Sequence, residues 1–197
     1  RGIDDVTIVM DGPEPPILDG SAQPFLTALE QAGVVELGGS VQYLRLVRRV
    51  RVVDGDSVYE AHPANELSVH VQIDFPHALV GLQQGTWQVT PETFARELAP
   101  ARTFGFAHEV EGLRAKGLIK GATTDNVILL DDQGVVGTTL RWPDEFVRHK
   151  AMDFVGDLAL AGTRVLARIS AIKPSHRGTV MLVREMLAHA RREKHVL

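Results

Sequence analysis

The sequence predicts an α+β fold on three observations. Segments with period-two apolar alternation follow one another as meanders, and segments of helical periodicity come in pairs. No glycine-rich phosphate loop of the doubly wound kind is present. With 197 residues, 44% of them hydrophobic and 23% charged, the chain can bury a real core, which excludes wholesale disorder.

The elements read as follows. Residues 6–10 form a short β run broken at Asp11, Gly12 and Pro13. Residues 18–21 form a turn, with Ser21 as N-cap of a helix over residues 24–32 that Gly33 closes. Residues 50–53 and 58–61 flank Asp54-Gly55-Asp56 as a hairpin. Residues 67–75 alternate without a miss, as a half-buried strand does, and residues 87–89 continue the sheet. Thr90 caps a helix that has Pro91 in its first position. Residues 108–116 make a helix stopped by Gly117, and residues 127–130 a buried strand with its turn at 131–134. The clearest helix runs over 143–161: Pro143 comes first, Asp144 and Glu145 fill the first turn, and Gly162 lies just past the end. Residues 165–171 form another strand, and Ser175 caps a last helix running to about Lys194.

Composition narrows the function. A net charge of −4 argues against a polyanion-coating protein, so no nucleic-acid partner is expected. The absence of cysteine excludes disulfides, thiol nucleophiles and Cys-ligated metals, so any metal must use His, Asp or Glu. No apolar run reaches the ~18 residues of a membrane span. No signal peptide is visible, which makes a cytoplasmic protein the expectation. The chain opens on Arg1 and soon enters a strand, so it reads as the middle of a fold with something upstream.

The helix at 143–161 carries the chemistry. His149, Asp153 and Asp157 recur every fourth residue, and at about 100° per residue they span a stripe of roughly 80° on one face. Lys150 lies beside it, and most other directions are apolar. The pattern is that of a helix buried on most sides with a narrow ionisable seam, which is costly unless paired or metal-bound. One reading is a metal site, with His149 and Asp153 aimed at a common ion such as zinc. The other is a His–Asp hydrogen bond at a packing seam, because two ligands do not make a site. His176 follows the cap at Ser175, where it either acts in catalysis or merely caps the helix. In residues 101–106 the Thr103 hydroxyl could donate to an oxyanion; the alternative is an aromatic packing turn. His62, His70, His77, His189 and His195 read as structural or solvated, the last two on the charged terminal helix.

Residues 144–153 with Gly156 and Asp157 closely resemble the signature helix of the UDP-3-O-acyl-N-acetylglucosamine deacetylases, zinc amidohydrolases of lipid A synthesis. Residues 17–22 with Pro24 and Phe25, residues 101–106, and Ser175-His176 agree in the same order, so the resemblance covers nearly the whole chain. It implies two zinc ligands, His149 and Asp153, with Fe2+ as a possible alternative metal. It implies a catalytic His176 oriented by Asp157, an oxyanion contact at Thr103, and substrate contacts at Lys150 and Phe104. Val110, Leu113, Leu118 and Ile119 would line a passage for the fatty acyl chain.

The implied fold pairs two β-α-α-β domains, with helices packed between two sheets. Residues 1–44 would be the tail of the first domain and residues 45–197 the second. The implied third zinc ligand and general-base Glu precede the run at residue 6, so the chain alone is expected to have little or no activity. The implied substrate is a UDP-linked acylated amino sugar, met by a monomer that touches the membrane surface only transiently. The alternatives are a catalytically dead paralogue that binds lipid nucleotides or serves as a scaffold, and a generic α+β domain with a structural His–Asp pair. Intact His149, Asp153, Asp157 and His176 argue against the dead paralogue, since buried ionisable groups without a use cost stability.

Overall fold

A computed structural model describes residues 2–115 and 123–196. The fold is α+β, as the strand meanders predict. After helix α1 (Gln23–Ala32) the chain lays down β1 (Ser40–Leu46), β2 (Val50–Asp54), β3 (Ser57–Pro63), β4 (Ser68–Phe75) and β5 (Gly81–Gln88). The β2–β3 hairpin turns at Gly55-Asp56, where Gly55 takes φ 58 at the first central position, a conformation glycine adopts without strain. In β4 the buried residues Val69, Val71 and Ile73 alternate with more exposed ones, as the period-two pattern requires.

A short helix α2 (Pro91–Thr93), capped by Thr90 Oγ1 on the Thr93 N–H at 3.1 Å, runs into a π-turn over Phe94–Leu98. Next come β6 (Phe104–Phe106), α3 (Ala107–Ala115), β7 (Ile128–Asp131) and β8 (Gly134–Val136). These three strands form a small sheet in which β6 runs parallel to β7 and β7 antiparallel to β8. The chain ends with α4 (Glu145–Leu158), β9 (Arg164–Ile172), α5 (His176–Ala188) and β10 (Ala190–Val196).

β9 is the hub of the larger, seven-stranded sheet. It pairs in parallel with β1 and β4 and antiparallel with β3. Its buried residues Val165, Ala167, Ile169 and Ala171 all belong to one alternating set. α4 packs on β4, β5 and α5, while α5 packs on β2 and β3. The core lies between sheet and helices, with Tyr59, Phe146, Phe154, Ile169, Leu182 and Met186 closed off from solvent.

Four local expectations change. Residues 6–10 form no strand: Val9 is 90% exposed, and without a ladder partner among the described residues the backbone of this run is left to solvent. Ser21 is not the N-cap of α1; Ala22 holds that place, and Ser21 Oγ accepts from the Gln23 N–H at 3.3 Å while donating to Asp19. Pro143 lies outside α4, whose N-cap is Asp144. The last helix stops at Ala188 rather than near Lys194, because residues 190–196 pair antiparallel with β1 from Leu46↔Ala190 to Ser40↔Val196. Tertiary pairing there overrides the helix-forming composition. His195 consequently lies on a strand, and His189 in the C-cap of α5.

Candidate active site

α4 has the character its sequence predicts. Glu145, Phe146, Val147, His149, Ala151, Phe154 and Leu158 are buried, and Lys150, Asp153 and Asp157 are half-buried along the remaining strip. His149 is 6% exposed. Its Nδ1 lies 3.1 Å from the Ala101 carbonyl oxygen, which can only accept, so Nδ1 carries the proton. Its Nε2 lies 3.5 Å from Asp153 Oδ1. Burial pushes the imidazole below the ordinary histidine value, against the upward pull of Asp153 and the Ala101 carbonyl. A neutral imidazole held in this tautomer turns a lone pair toward a carboxylate oxygen. Two electron-rich atoms so placed are satisfied by a cation between them, and the carbonyl behind Nδ1 is the usual second support of a metal-binding histidine. Lys150 Nζ occupies the other carboxylate oxygen, Asp153 Oδ2, at 3.1 Å. The donor set therefore fits a divalent metal, although among the described residues no group of three or more such side chains converges.

One turn further along α4, Asp157 Oδ2 accepts from His176 Nδ1 at 2.8 Å. His176 is the first residue of α5, and its side chain is 72% exposed. Ser175 caps this helix as predicted, its Oγ accepting from the Gly178 N–H at 3.1 Å. Lys150, Asp153, Asp157, Ser175 and His176 all line one shallow cleft between α4 and α5. Asp153, Asp157 and His176 thus share one opening, and the buried His149 adjoins it through Asp153.

The Thr103 segment is tied to the same helix. Arg102 donates to the buried Glu145 through its backbone N–H at 3.1 Å, and through Nε at 2.9 Å and Nη2 at 3.2 Å. Arg141 adds its N–H to Glu145 Oε2 at 2.6 Å. Below this node, the Thr103 N–H donates to the Gly20 carbonyl at 2.7 Å and the Ala22 N–H to the Ala99 carbonyl at 2.8 Å. Arg141 also reaches Asp19 Oδ2 at 2.9 Å. Although burial pushes the other way, hydrogen bonds from Arg141 and Ser21 hold the Asp19 carboxyl below its ordinary value.

Phe104 sits edge-on to Phe146 at 5.0 Å and 6.3 Å from the His149 ring, with Lys150 Nζ 5.9 Å from its centre. The structure therefore brings His149, Lys150, Asp153 and Phe104 into one neighbourhood, with Asp157 and His176 along the cleft and Thr103 on the loop behind. Val110 is half-buried on α3, and Leu113 lies on the same helix. Leu118 and Ile119, like the expected helix stop at Gly117, fall outside the described residues. A groove of about 300 Å³ opens beside the start of α3, walled by Phe75, His77, Phe106 and Leu130. His77 and His70 have structural partners, the Asp131 carbonyl and the Thr86 hydroxyl, each at 2.9 Å.

Sequence reasoning did not single out Arg102 or Glu145. The available signal was an acidic residue followed directly by Phe146 and Val147 at the start of a helix expected to be buried.

An α+β frame here sets a buried imidazole beside one carboxylate and an exposed histidine against a second, and the class of protein that combines them follows from comparison with relatives. The family model described as UDP-3-O-acyl N-acetylglycosamine deacetylase matches residues 1–188, and the chain belongs to that family. It is 41% identical over 190 residues to the UDP-3-O-acyl-N-acetylglucosamine deacetylase of Syntrophotalea carbinolica, covering 96% of this chain and 62% of the relative. To the protein of the same name from Thermosynechococcus vestitus it is 44% identical over 183 residues, 93% of this chain and 64% of the relative. For that of Nautilia profundicola the figures are 36% over 187 residues, 95% and 64%. The chain thus spans less than two thirds of the length of these relatives.

Proposed function

We propose that the protein carrying this chain hydrolyses the N-acetyl amide of UDP-3-O-acyl-N-acetylglucosamine, releasing acetate and a free 2-amino sugar. The observation that carries the reading is the cleft shared by Asp153, Asp157 and His176, with the buried His149 behind Asp153, together with family membership. His149 and Asp153 would hold zinc, or Fe2+, whose donor preferences overlap. When bound, the metal supplies Lewis-acid polarisation and a more acidic water.

The chain's own residues do the rest. Asp157 fixes Nδ1 of His176, which leaves Nε2 to carry the proton that the leaving amine needs as the C–N bond breaks. Thr103 donates its hydroxyl to the developing oxyanion. Lys150 and Phe104 flank the reacting centre and contact the substrate. Val110 on α3, together with Leu113, Leu118 and Ile119, is proposed to meet the acyl chain.

The same reading places residues 45–197 in a second domain, with the third metal ligand and general-base Glu outside these 197 residues. Residues 1–197 expressed alone then show little or no turnover. Among the described residues no helix is long and apolar enough to cross a membrane. On the family resemblance, the proposed enzyme works as a cytoplasmic monomer that touches the membrane surface only transiently.

The test is deacetylation of the named substrate by the full-length gene product beside its His149→Ala variant. Turnover that vanishes in the variant supports the reading. No turnover by the folded, zinc-supplied full-length protein overturns it.

A further inference from the structure

His176 is mostly exposed, so packing around its own ring does little to fix it. Besides the hydrogen bond to Asp157, what locates it is the backbone of the residue before it. Tyr59, on β3 and fully buried, holds that backbone at both ends: its hydroxyl accepts the Ser175 N–H at 2.8 Å and donates to the Ser175 carbonyl at 3.1 Å.

Two further observations show that this contact is built rather than incidental. A Cβ at Gly178 would lie 2.7 and 2.8 Å from Tyr59 ring carbons and closer still to the hydroxyl, so the first turn of α5 reaches Tyr59 only because residue 178 is glycine. The Tyr59 ring also stacks on Phe154 of α4, at 6.2 Å between centroids and 24° between planes. Phe154 directly follows Asp153 and lies one turn before Asp157. Tyr59 therefore touches both helices that supply the His176–Asp157 pair. Two residues earlier on β3, Ser57 Oγ donates to the Lys173 carbonyl at 2.6 Å, where Lys173 has φ 49. The strand thus holds the link from β9 to α5 at Lys173 and at Ser175.

We propose that Tyr59 is a positioning residue for His176: its hydroxyl, clamped across the backbone of Ser175, sets where α5 begins and so where His176 meets Asp157. The catalytic consequence rests on the deacetylase reading above; the geometric one does not. Tyr59→Phe is the informative variant, since it keeps the ring and its stack on Phe154 and removes only the clamp.

Two measurements on the full-length protein test this. In the first, imidazole nitrogen resonances of His176 are compared between wild type and Tyr59→Phe. The expected result is loss of the fixed Nδ1–H tautomer; an unchanged His176 signal overturns the proposal whether or not the protein is active. In the second, steady-state kinetics on UDP-3-O-acyl-N-acetylglucosamine are expected to show kcat lower by about 10- to 100-fold with KM almost unchanged. Gly178→Ala, which presses on the same contact from the helix side, is expected to lower kcat in the same direction and serves if Tyr59→Phe folds poorly. Wild-type kcat in both variants of an active enzyme overturns the positioning role and leaves the deacetylase reading standing. An inactive wild type overturns that reading instead, and the resonance measurement then decides the fate of the clamp.

Discussion

Glu145 and Arg102 form a buried ion pair, and it joins the first turn of α4 to the residue preceding Thr103. Glu145 is 0% exposed and accepts from Arg102 and from the Arg141 backbone. The Arg102 guanidinium also donates to Thr138 Oγ1 at 3.1 Å and to the Thr139 carbonyl at 2.7 Å. Removing either partner strands a buried charge. Glu145→Ala or Arg102→Ala is expected to cost about 3–5 kcal/mol in urea unfolding. The double variant should cost less than the sum of the two, because the second removal relieves the charge stranded by the first. Additive losses would show that the pair is not coupled.

His149 makes stability depend on pH with a definite sign. Burial holds its folded-state value below the ordinary 6.5, so the unfolded chain takes up the proton first as pH falls. The contribution of the neutral ring is fully present above about pH 6.5 and is lost as pH drops from there toward the folded value. Metal-free protein should therefore lose stability between pH 7.5 and 5.5, and His149→Gln should lose less over the same interval. Equal slopes in urea unfolding of the two proteins would count against a buried neutral imidazole.

Metal binding is expected to follow the same donors. Zinc at 100 times its dissociation constant should stabilise the full-length protein by about 2.7 kcal/mol, through mass action alone. Asp153→Ala should lose most of that gain and the metal content that survives dialysis. Chelation should abolish turnover, and zinc should restore it. Wild-type metal retention in Asp153→Ala would remove Asp153 from the ligand set.

The ionisable seam is legible in the sequence because His149, Asp153 and Asp157 recur every fourth residue along one narrow stripe of a helix whose other directions are mostly apolar, which a periodic pattern exposes directly. The caps at Thr90 and Ser175 are legible for the same local reason, and both side chains accept the expected backbone N–H. The Arg102–Glu145 pair is not, since its partners lie 43 residues apart and neither belongs to a repeating pattern. β10 is hidden by composition: Arg191, Arg192, Glu193 and Lys194 are good helix formers, and only the distant β1 makes them a strand. Residues 6–10 show the converse, with strand-like composition but, among the described residues, no ladder partner.

Asp157 orients His176 and is expected to act on rate rather than binding. Asp157→Asn preserves shape but replaces the carboxylate that accepts from Nδ1. A drop in kcat of about 10²- to 10⁴-fold with little change in KM is expected, in line with loss of an acid–base group or its orienting partner. Steady-state kinetics on the full-length protein check this, and a variant with undiminished kcat would leave His176 without an orienting carboxylate.

Gly20 supports Thr103 from below, and its replacement separates strain from collision. Gly20 has φ 81, and a Cβ there would run into the Asn126 carbonyl oxygen and lie 3.2 Å from Thr103 Cγ2. Its own carbonyl accepts the Thr103 N–H. Gly162 has φ 67 but meets nothing within 4 Å, so Gly162→Ala bears only the backbone penalty of roughly 1–2 kcal/mol. Gly20→Ala bears a similar penalty and must also displace Asn126 or the turn that carries Thr103. Its loss of stability is expected to exceed that of Gly162→Ala, and kcat is expected to fall only at position 20. Equal stability losses with unchanged kcat in both variants would show that the Gly20 turn does not set the position of Thr103.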